Sequence, residues 1–264
     1  MAQTQKIYLG SHLIGDVRYG SHKIITRYAD EGARVIDSST VLFLDSTDSN
    51  SYGGSGNTWY DLSPSGNNVV GDAITNYWNS ANSTFQFPGS STTDDTASAT
   101  ANSSFDIFDG DFTIQFVQTI DDANSSAQLN LTAPFGLSYF NSNPGWGMLI
   151  NRDSGDANYK KLFFYLNNSV VVSTSTIFTN LQDFFVIQIV RSGSDITIYS
   201  DLTSVGTGTS SANANNNLDL IVGKAGATAY PTDGKLANLA LYDRALDSAE
   251  RQKNYDYFAS QLGF

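Results

Sequence analysis

The sequence predicts an all-β fold, an antiparallel β-sandwich carrying an N-terminal β-hairpin arm and one C-terminal helix. Three observations carry that expectation. The composition favours strands and turns, with 14 Tyr, 16 Phe, 22 Gly and only two Met. Short apolar stretches recur along the chain with no amphipathic helix between them, which disfavours βαβ units and favours two packed antiparallel sheets. Only one segment, at the C-terminus, has helical periodicity with signals at both ends.

Taken in order, residues 6–14 (KIYLGSHLI) and 17–24 (VRYGSHKI) echo one another, with Gly-Ser-His at 10–12 and again at 20–22. Each copy pairs alternating apolar residues, Ile7 and Leu9 or Val17 and Tyr19, with a Gly-Ser turn, so two short strands are expected. Such a hairpin has no core of its own and must dock on something. Residues 1–37 are therefore read as an attachment arm and 38–264 as the sandwich. Strands are expected at 41–45, 58–62, 67–71, 84–87, 112–120, 134–139, 146–150, 161–166, 169–173, 184–191, 195–200, 218–222 and 235–242. Phe112, Ile114 and Phe116 alternate with Thr113 and Gln115, the pattern of a sheet with one wet face, whereas 161–166 and 184–190 read as central strands. Segments 88–104 and 203–217 read as long polar loops. In the helix, Asp247 and Glu250 form a capping box, Tyr255, Phe258, Ala259 and Leu262 share a face, and Gly263 ends the run.

The composition excludes several function classes. Without cysteine there is no disulfide framework, thiolate nucleophile or cysteine-bound zinc. The net charge is -12, and residues 35–151 hold twelve Asp with no Lys or Arg, so no basic face exists there to neutralise a nucleic-acid backbone. No stretch of about 18 apolar residues is present to insert in a membrane, and MAQTQKIYLG lacks the apolar region of a signal peptide, so cytoplasmic synthesis is expected.

Five segments in order resemble the concanavalin A-like lectin/glucanase superfamily in its laminin G-like form, as found in structural proteins of tailed phages. They are VLFLDSTDSNSYGGSGNTWYDLSPSGNN (41–68), FDGDFTIQFVQTI (108–120), GWGMLI (145–150), FFVIQIVRSGSDITIYSDL (184–202) and KLANLALYDRALDSAERQKNY (235–255). The resemblance covers about 38–264 and implies a concanavalin A-like jelly roll. KIYLGSHLIGDVRYGSHKI resembles leader segments of phage virion proteins. Together the resemblances imply a virion structural protein, a capsid decoration or appendage component. It would be oligomeric within the particle and joined to other virion proteins through the arm residues Ile7, Tyr8, Leu9, His12, Val17, Tyr19 and His22. The alternative is a carbohydrate-binding adhesin that contacts host or environmental glycans. An endoglycosidase ranks third, because the fold hosts all three kinds of protein.

Glycosidases of this superfamily use paired carboxylates, most often glutamates on one strand, yet the only Glu are Glu31 and Glu250. Asp106, Asp109 and Asp111 cluster about Gly110 in the pattern of a turn, so no catalytic residue is assigned and no enzyme is expected. His12 and His22 fit turn hydrogen bonds better than a triad. No cofactor is expected apart from calcium, for which Asp45, Asp48 and Asn50 offer oxygens, as do Asp153, Asp156 and Asn158, against the simpler reading of turn-capping Asx residues. Tyr52, Trp59, Tyr77, Trp78 and Asn79 are the candidates for a carbohydrate platform; the resemblance implies a structural strand for Trp59 and Tyr60, and Trp146, between two glycines, reads as core. The sugar platform then falls to Tyr77, Trp78 and Asn79, weighed against an aromatic pair packed beneath a loop.

Overall fold

The computed structural model describes residues 7–9, 12–17, 24–28, 33–89, 96–121, 131–137, 145–177, 180–215, 218–225 and 229–264. Two antiparallel sheets face one another. The first runs in the order Thr203–Thr209, Asp195–Ser200, Phe185–Ser192, Phe112–Gln118, Asp233–Tyr242, Thr84–Pro88, Trp78–Asn79. Thr40–Asp45 shares one flank of the long Asp233–Tyr242 strand with Thr84–Pro88. The second runs Ser169–Ser173, Leu162–Leu166, Trp146–Asn151, Phe135–Leu137, Leu220–Val222, Ala97–Ala99, Val69–Val70, Thr58–Trp59, with Leu131–Thr132 against Trp146–Asn151.

The main core fills the space between the sheets. Alternate residues Phe112, Ile114 and Phe116 of one sheet meet Trp146, Met148, Ile150 and Phe164 of the other, and all are buried. Trp59 is fully enclosed and Trp146 nearly so, as expected of core residues. Arg152, from the end of Trp146–Asn151, crosses to the first sheet and pairs with Asp233 while donating to the Asp121 carbonyl at 3.1 Å.

Several sequence expectations are corrected. Phe112–Gln118 has no wet face, because helix α2 (Ser248–Leu262) lies over the side that carries Thr113 and Gln115. Polar side chains survive there by bonding one another: Gln115 donates to Asn238 at 2.9 Å, Gln188 to Gln115 at 2.9 Å and Asn254 to Gln115 at 3.0 Å. The capping box at Asp247 and the left-handed Gly263 are present. The helix is rotated from the expected face, however. Asn254, Tyr257 and Phe258 are its buried residues, since Asn254 and Tyr257 make buried hydrogen bonds that apolar periodicity cannot report. Thr203–Thr209, expected as loop, is an edge strand. Gly208 lets it press on the other sheet, where a β-carbon would fall 2.1 Å from the Val171 carbonyl oxygen. Ala97–Ala99, inside the other expected loop, is also a strand. Leu162–Leu166 lies one place from an edge with Phe163 and Tyr165 half-buried, whereas Phe185–Ser192 is central as expected. Tyr60, expected in a strand, follows the short Thr58–Trp59 and is exposed.

In the arm, three strands replace the expected two. Ile7–Leu9 pairs with His12–Val17, which pairs with Ile24–Tyr28, as a separate antiparallel sheet. The register sets Leu9 opposite His12, so the chain reverses between them, where the first turn was expected, and His12 opens the second strand. Tyr19 and His22 lie outside the described residues.

Candidate functional site

The residues expected to bind sugar stand at one rim of the sandwich, where the loop after Thr40–Asp45 meets helix α1 (Asp72–Asn76) and the short strand Trp78–Asn79. Trp78 pairs with Phe85 across the strands and so turns its ring toward the core side. Its ring lies 4.8 Å from that of Tyr52 and 5.3 Å from that of Phe85, and the side chain remains half-buried. Tyr77 instead packs on Phe87 at 5.7 Å, so the two rings rest on different phenylalanines and do not form one flat platform. Asn79 is half-buried, and its side-chain oxygen accepts from the Ala81 amide at 3.0 Å.

Beside Trp78, the loop that carries Tyr52 brings in glycine and polar residues that the sequence alone did not single out. Gly54 and Gly56 adopt φ of +86° and +94°, and a β-carbon at Gly54 would sit 3.5 Å from Trp78 Nε1. A longer side chain there would be strained and would spread over the indole edge. Tyr52 is buried and donates to the Gly56 carbonyl at 3.0 Å. Burial pushes its hydroxyl up, so it stays a neutral donor. Around them Asn57 donates to Asp72 at 2.9 Å and Thr75 to Asn57 at 2.6 Å. Gly56 joins the two parts, its carbonyl accepting from both Tyr52 and Thr75, so the half-covered Trp78 ring and the exposed amide, carboxylate and hydroxyl groups lie on one loop and helix.

The three calcium candidates have a different occupation. Asp45 is buried and faces Arg34 Nη1 at 3.1 Å, accepts from Tyr257 at 2.8 Å and takes the Thr47 hydroxyl at 2.6 Å. One Asp48 oxygen pairs with Arg34, and the other accepts the Asn50 amides at 2.8 and 2.9 Å. Their oxygens are therefore bonded to protein donors, and Asn50 serves a turn. Burial raises the Asp45 pKa. It acts in the same sense on Asp48, where hydrogen bonds from Arg34 and Asn50 outweigh it and hold that carboxyl below its ordinary value. Tyr257, buried beside Asp45, is pushed up to about 12. Asp153 and Asp156 likewise accept from the Gly155 and Asn158 amides. Among the described residues no three acidic or histidine side chains gather where they could hold a metal ion. Arg34 escaped the sequence reading, although the last cation before a long stretch without Lys or Arg, facing that stretch's first acids, was a usable signal.

The carboxylates considered for hydrolysis are dispersed. Asp106 follows a single 3₁₀ turn, Asp109 and Asp111 are exposed, and Asp111 accepts the Gly193 amide at 2.6 Å. Glu250 is held by both Arg244 nitrogens at 2.6 Å and closes the helix cap, while Glu31 lies outside the described residues. No helix among the described residues is long and apolar enough to cross a membrane.

Two antiparallel sheets and a closing C-terminal helix define an all-β sandwich. The laminin G-type model of the concanavalin A-like lectin/glucanases superfamily matches residues 90–250, more than half of the chain, and the chain belongs to that family. Among solved structures it is similar to the Trypanosoma rangeli sialidase in complex with sialic acid, at 16% identity and a TM-score of 0.60, over 87% of this chain and 35% of that one. It is also similar to the binding domain of Paraclostridial Mosquitocidal Protein 1, at 17% identity and a TM-score of 0.61, over 83% of this chain and 52% of that one. The binding domain of botulinum neurotoxin serotype D/C gives 17% identity and a TM-score of 0.57 over the same shares. The chain thus spans about a third of the sialidase and half of each binding domain, and at these identities the likeness is one of fold. No curated protein matches the sequence.

Proposed function

We propose that the chain is a non-enzymatic structural protein of a phage particle, a capsid decoration or appendage component held by residues 1–37, whose sandwich binds carbohydrate at the Trp78 rim. The observation that carries the binding role is the half-buried Trp78 ring supported by Tyr52 and Phe85, on the same rim as the exposed, mutually hydrogen-bonded Asn57, Asp72 and Thr75. The likeness to two toxin binding domains agrees with it. A non-catalytic role is favoured because Glu250 is consumed by Arg244 and the helix cap, and Asp111 by a turn. The particle role rests on the resemblance of KIYLGSHLIGDVRYGSHKI to virion leader segments. A three-stranded arm that pairs only within itself among the described residues supports it, since its outer strands have edges suited to strand addition. Immunogold labelling of purified particles tests the location, and its absence from every particle surface would reject it. A glycan array probed with the wild type and Trp78→Ala tests the binding, which the variant should lose. Release of reducing ends from any polysaccharide would overturn the non-enzymatic reading.

A further inference from the structure

We infer that the Trp78 rim selects neutral glycans and turns away anionic ones, an inference that rests on the carbohydrate reading of that site. The argument is one of charge sign. Every rim residue named above comes from the stretch 35–151, which holds twelve Asp and no Lys or Arg. Asp72 stands exposed on the rim itself and, among the described residues, takes only the neutral Asn57 amide on one oxygen, so no described cation cancels its charge. The cation nearest along the loop, Arg34, is committed to Asp45 and Asp48. On the neighbouring strand, Lys235 lies opposite Gln86, one residue out of phase with Phe85 and Trp78, and so belongs to the other face of the sheet. Recognition of a sulfate or carboxylate requires an Arg, a Lys or an array of free amide donors. Here an anion would meet an uncompensated carboxylate on a protein of net charge -12. An uncharged pyranose loses nothing from that field. It can stack its apolar face on the indole and donate hydroxyls to Asp72 and Asn57.

The experiment uses the full chain and matched polymer pairs that share a backbone and differ in charge: dextran and dextran sulfate, and β-glucan and its carboxymethyl derivative. Retardation in native affinity gels is read at low salt and again at roughly 300 mM, where the Debye length falls well below 10 Å. At least one neutral polymer should retard the protein, with Trp78→Ala weakening that by about tenfold or more, as loss of a stacking ring does. Its anionic derivative should bind at least about tenfold more weakly at low salt, and the gap should narrow as salt screens the repulsion. An anionic derivative that binds as well as its neutral parent, or better, with affinity that falls on adding salt, would overturn the inference while leaving the carbohydrate reading intact. If no polymer of any pair retards the protein, the carbohydrate reading fails and takes the inference with it.

Discussion

Replacing Arg34 by methionine tests how the root of the arm is held. The guanidinium faces Asp45, whose side chain is completely buried, pairs with Asp48, and lies 5.5 Å from the Phe43 ring centre and 5.0 Å from that of Tyr257. Methionine keeps most of the apolar stem but strips a buried carboxylate of its cation. Breaking a fully buried pair from one side costs about 3–5 kcal/mol. Asp45 retains Thr47 and Tyr257, and Arg34 is 16% exposed, which places the loss at the low end, about 3 kcal/mol with the cation-π contacts included. The loss must also depend on pH. Burial already raises the folded-state pKa of Asp45 above its unfolded value, and removing Arg34 raises it further. A carboxyl raised in this way contributes most below its unfolded pKa, and that contribution disappears as pH rises through the folded pKa. Urea unfolding should therefore show a larger deficit at pH 7 than near pH 4, since Asp45 takes up its proton on acidification, and the difference should be about 1 kcal/mol or more. Equal deficits at the two pH values, or a loss under roughly 0.5 kcal/mol at pH 7, would refute the claim that Arg34 neutralises a buried charge.

Three further outcomes are expected. Trp59→Ala should cost about 3–5 kcal/mol as a fully enclosed ring, and Trp78→Ala about 1–2 kcal/mol, read by denaturant melts; the reverse order would mean that core and rim are exchanged. A chain starting at residue 33 should melt close to the intact protein, whereas one starting at residue 38 should melt roughly 10 °C lower. The second lacks Arg34 together with the Val35 bonds to Asn254 at 2.7 Å and Tyr242 at 3.0 Å. Finally, the Asp37 carboxyl feels the burial that would raise it, yet hydrogen bonds from Ser39 and Arg244 prevail and hold it down at about 2. Its contribution is present above the unfolded value near 3.8 and is lost as pH falls through about 2. The melting difference between wild type and Asp37→Asn should thus shrink across that window, and one that grew on acidification would contradict the assignment.

What the sequence made legible follows from where each signal arises. Strand existence was readable in segments such as 195–200 and 235–242, because a half-buried or fully buried strand declares itself in its own residues. The covered face of Phe112–Gln118 was not readable, because Thr113 and Gln115 look the same to a period-two pattern whether they meet water or Asn238 and Asn254. The turn of α2 was missed for the same reason, its anchoring residues being polar partners of residues over a hundred positions away. Thr203–Thr209 was hidden by Gly206 and Gly208, which usually mark loops but here permit the two sheet edges to touch. At the site, Trp78 came forward because the family resemblance places Trp59 in a structural strand. Its support by Tyr52 and the Arg34 clamp depended on contacts that no local motif records.

Those two features are joined by one loop, and this has a consequence for binding. Arg34 grips the Asp48 side chain, while the Asp48 backbone carbonyl accepts both the Ser51 and Tyr52 amides at 2.9 Å, and the Tyr52 ring supports Trp78 at 4.8 Å. From the root of the arm to the proposed sugar ring there are thus only covalent neighbours, short hydrogen bonds and one ring contact. If the Arg34 pair sets the position of this loop, Arg34→Met should weaken neutral-glycan affinity by roughly three- to tenfold, a coupling of about 1 kcal/mol, although Arg34 touches no sugar. Arg152→Met is the control for mere destabilisation. It breaks an equally buried pair with Asp233 that ties the sheets together through Asp121 and shares no residue with the loop. Affinity measured by titration well below both melting temperatures should fall for Arg34→Met and hold for Arg152→Met. Equal affinities for the two variants, or a larger loss in Arg152→Met, would show that the clamp at the arm's root holds the chain in place without setting the geometry of the rim.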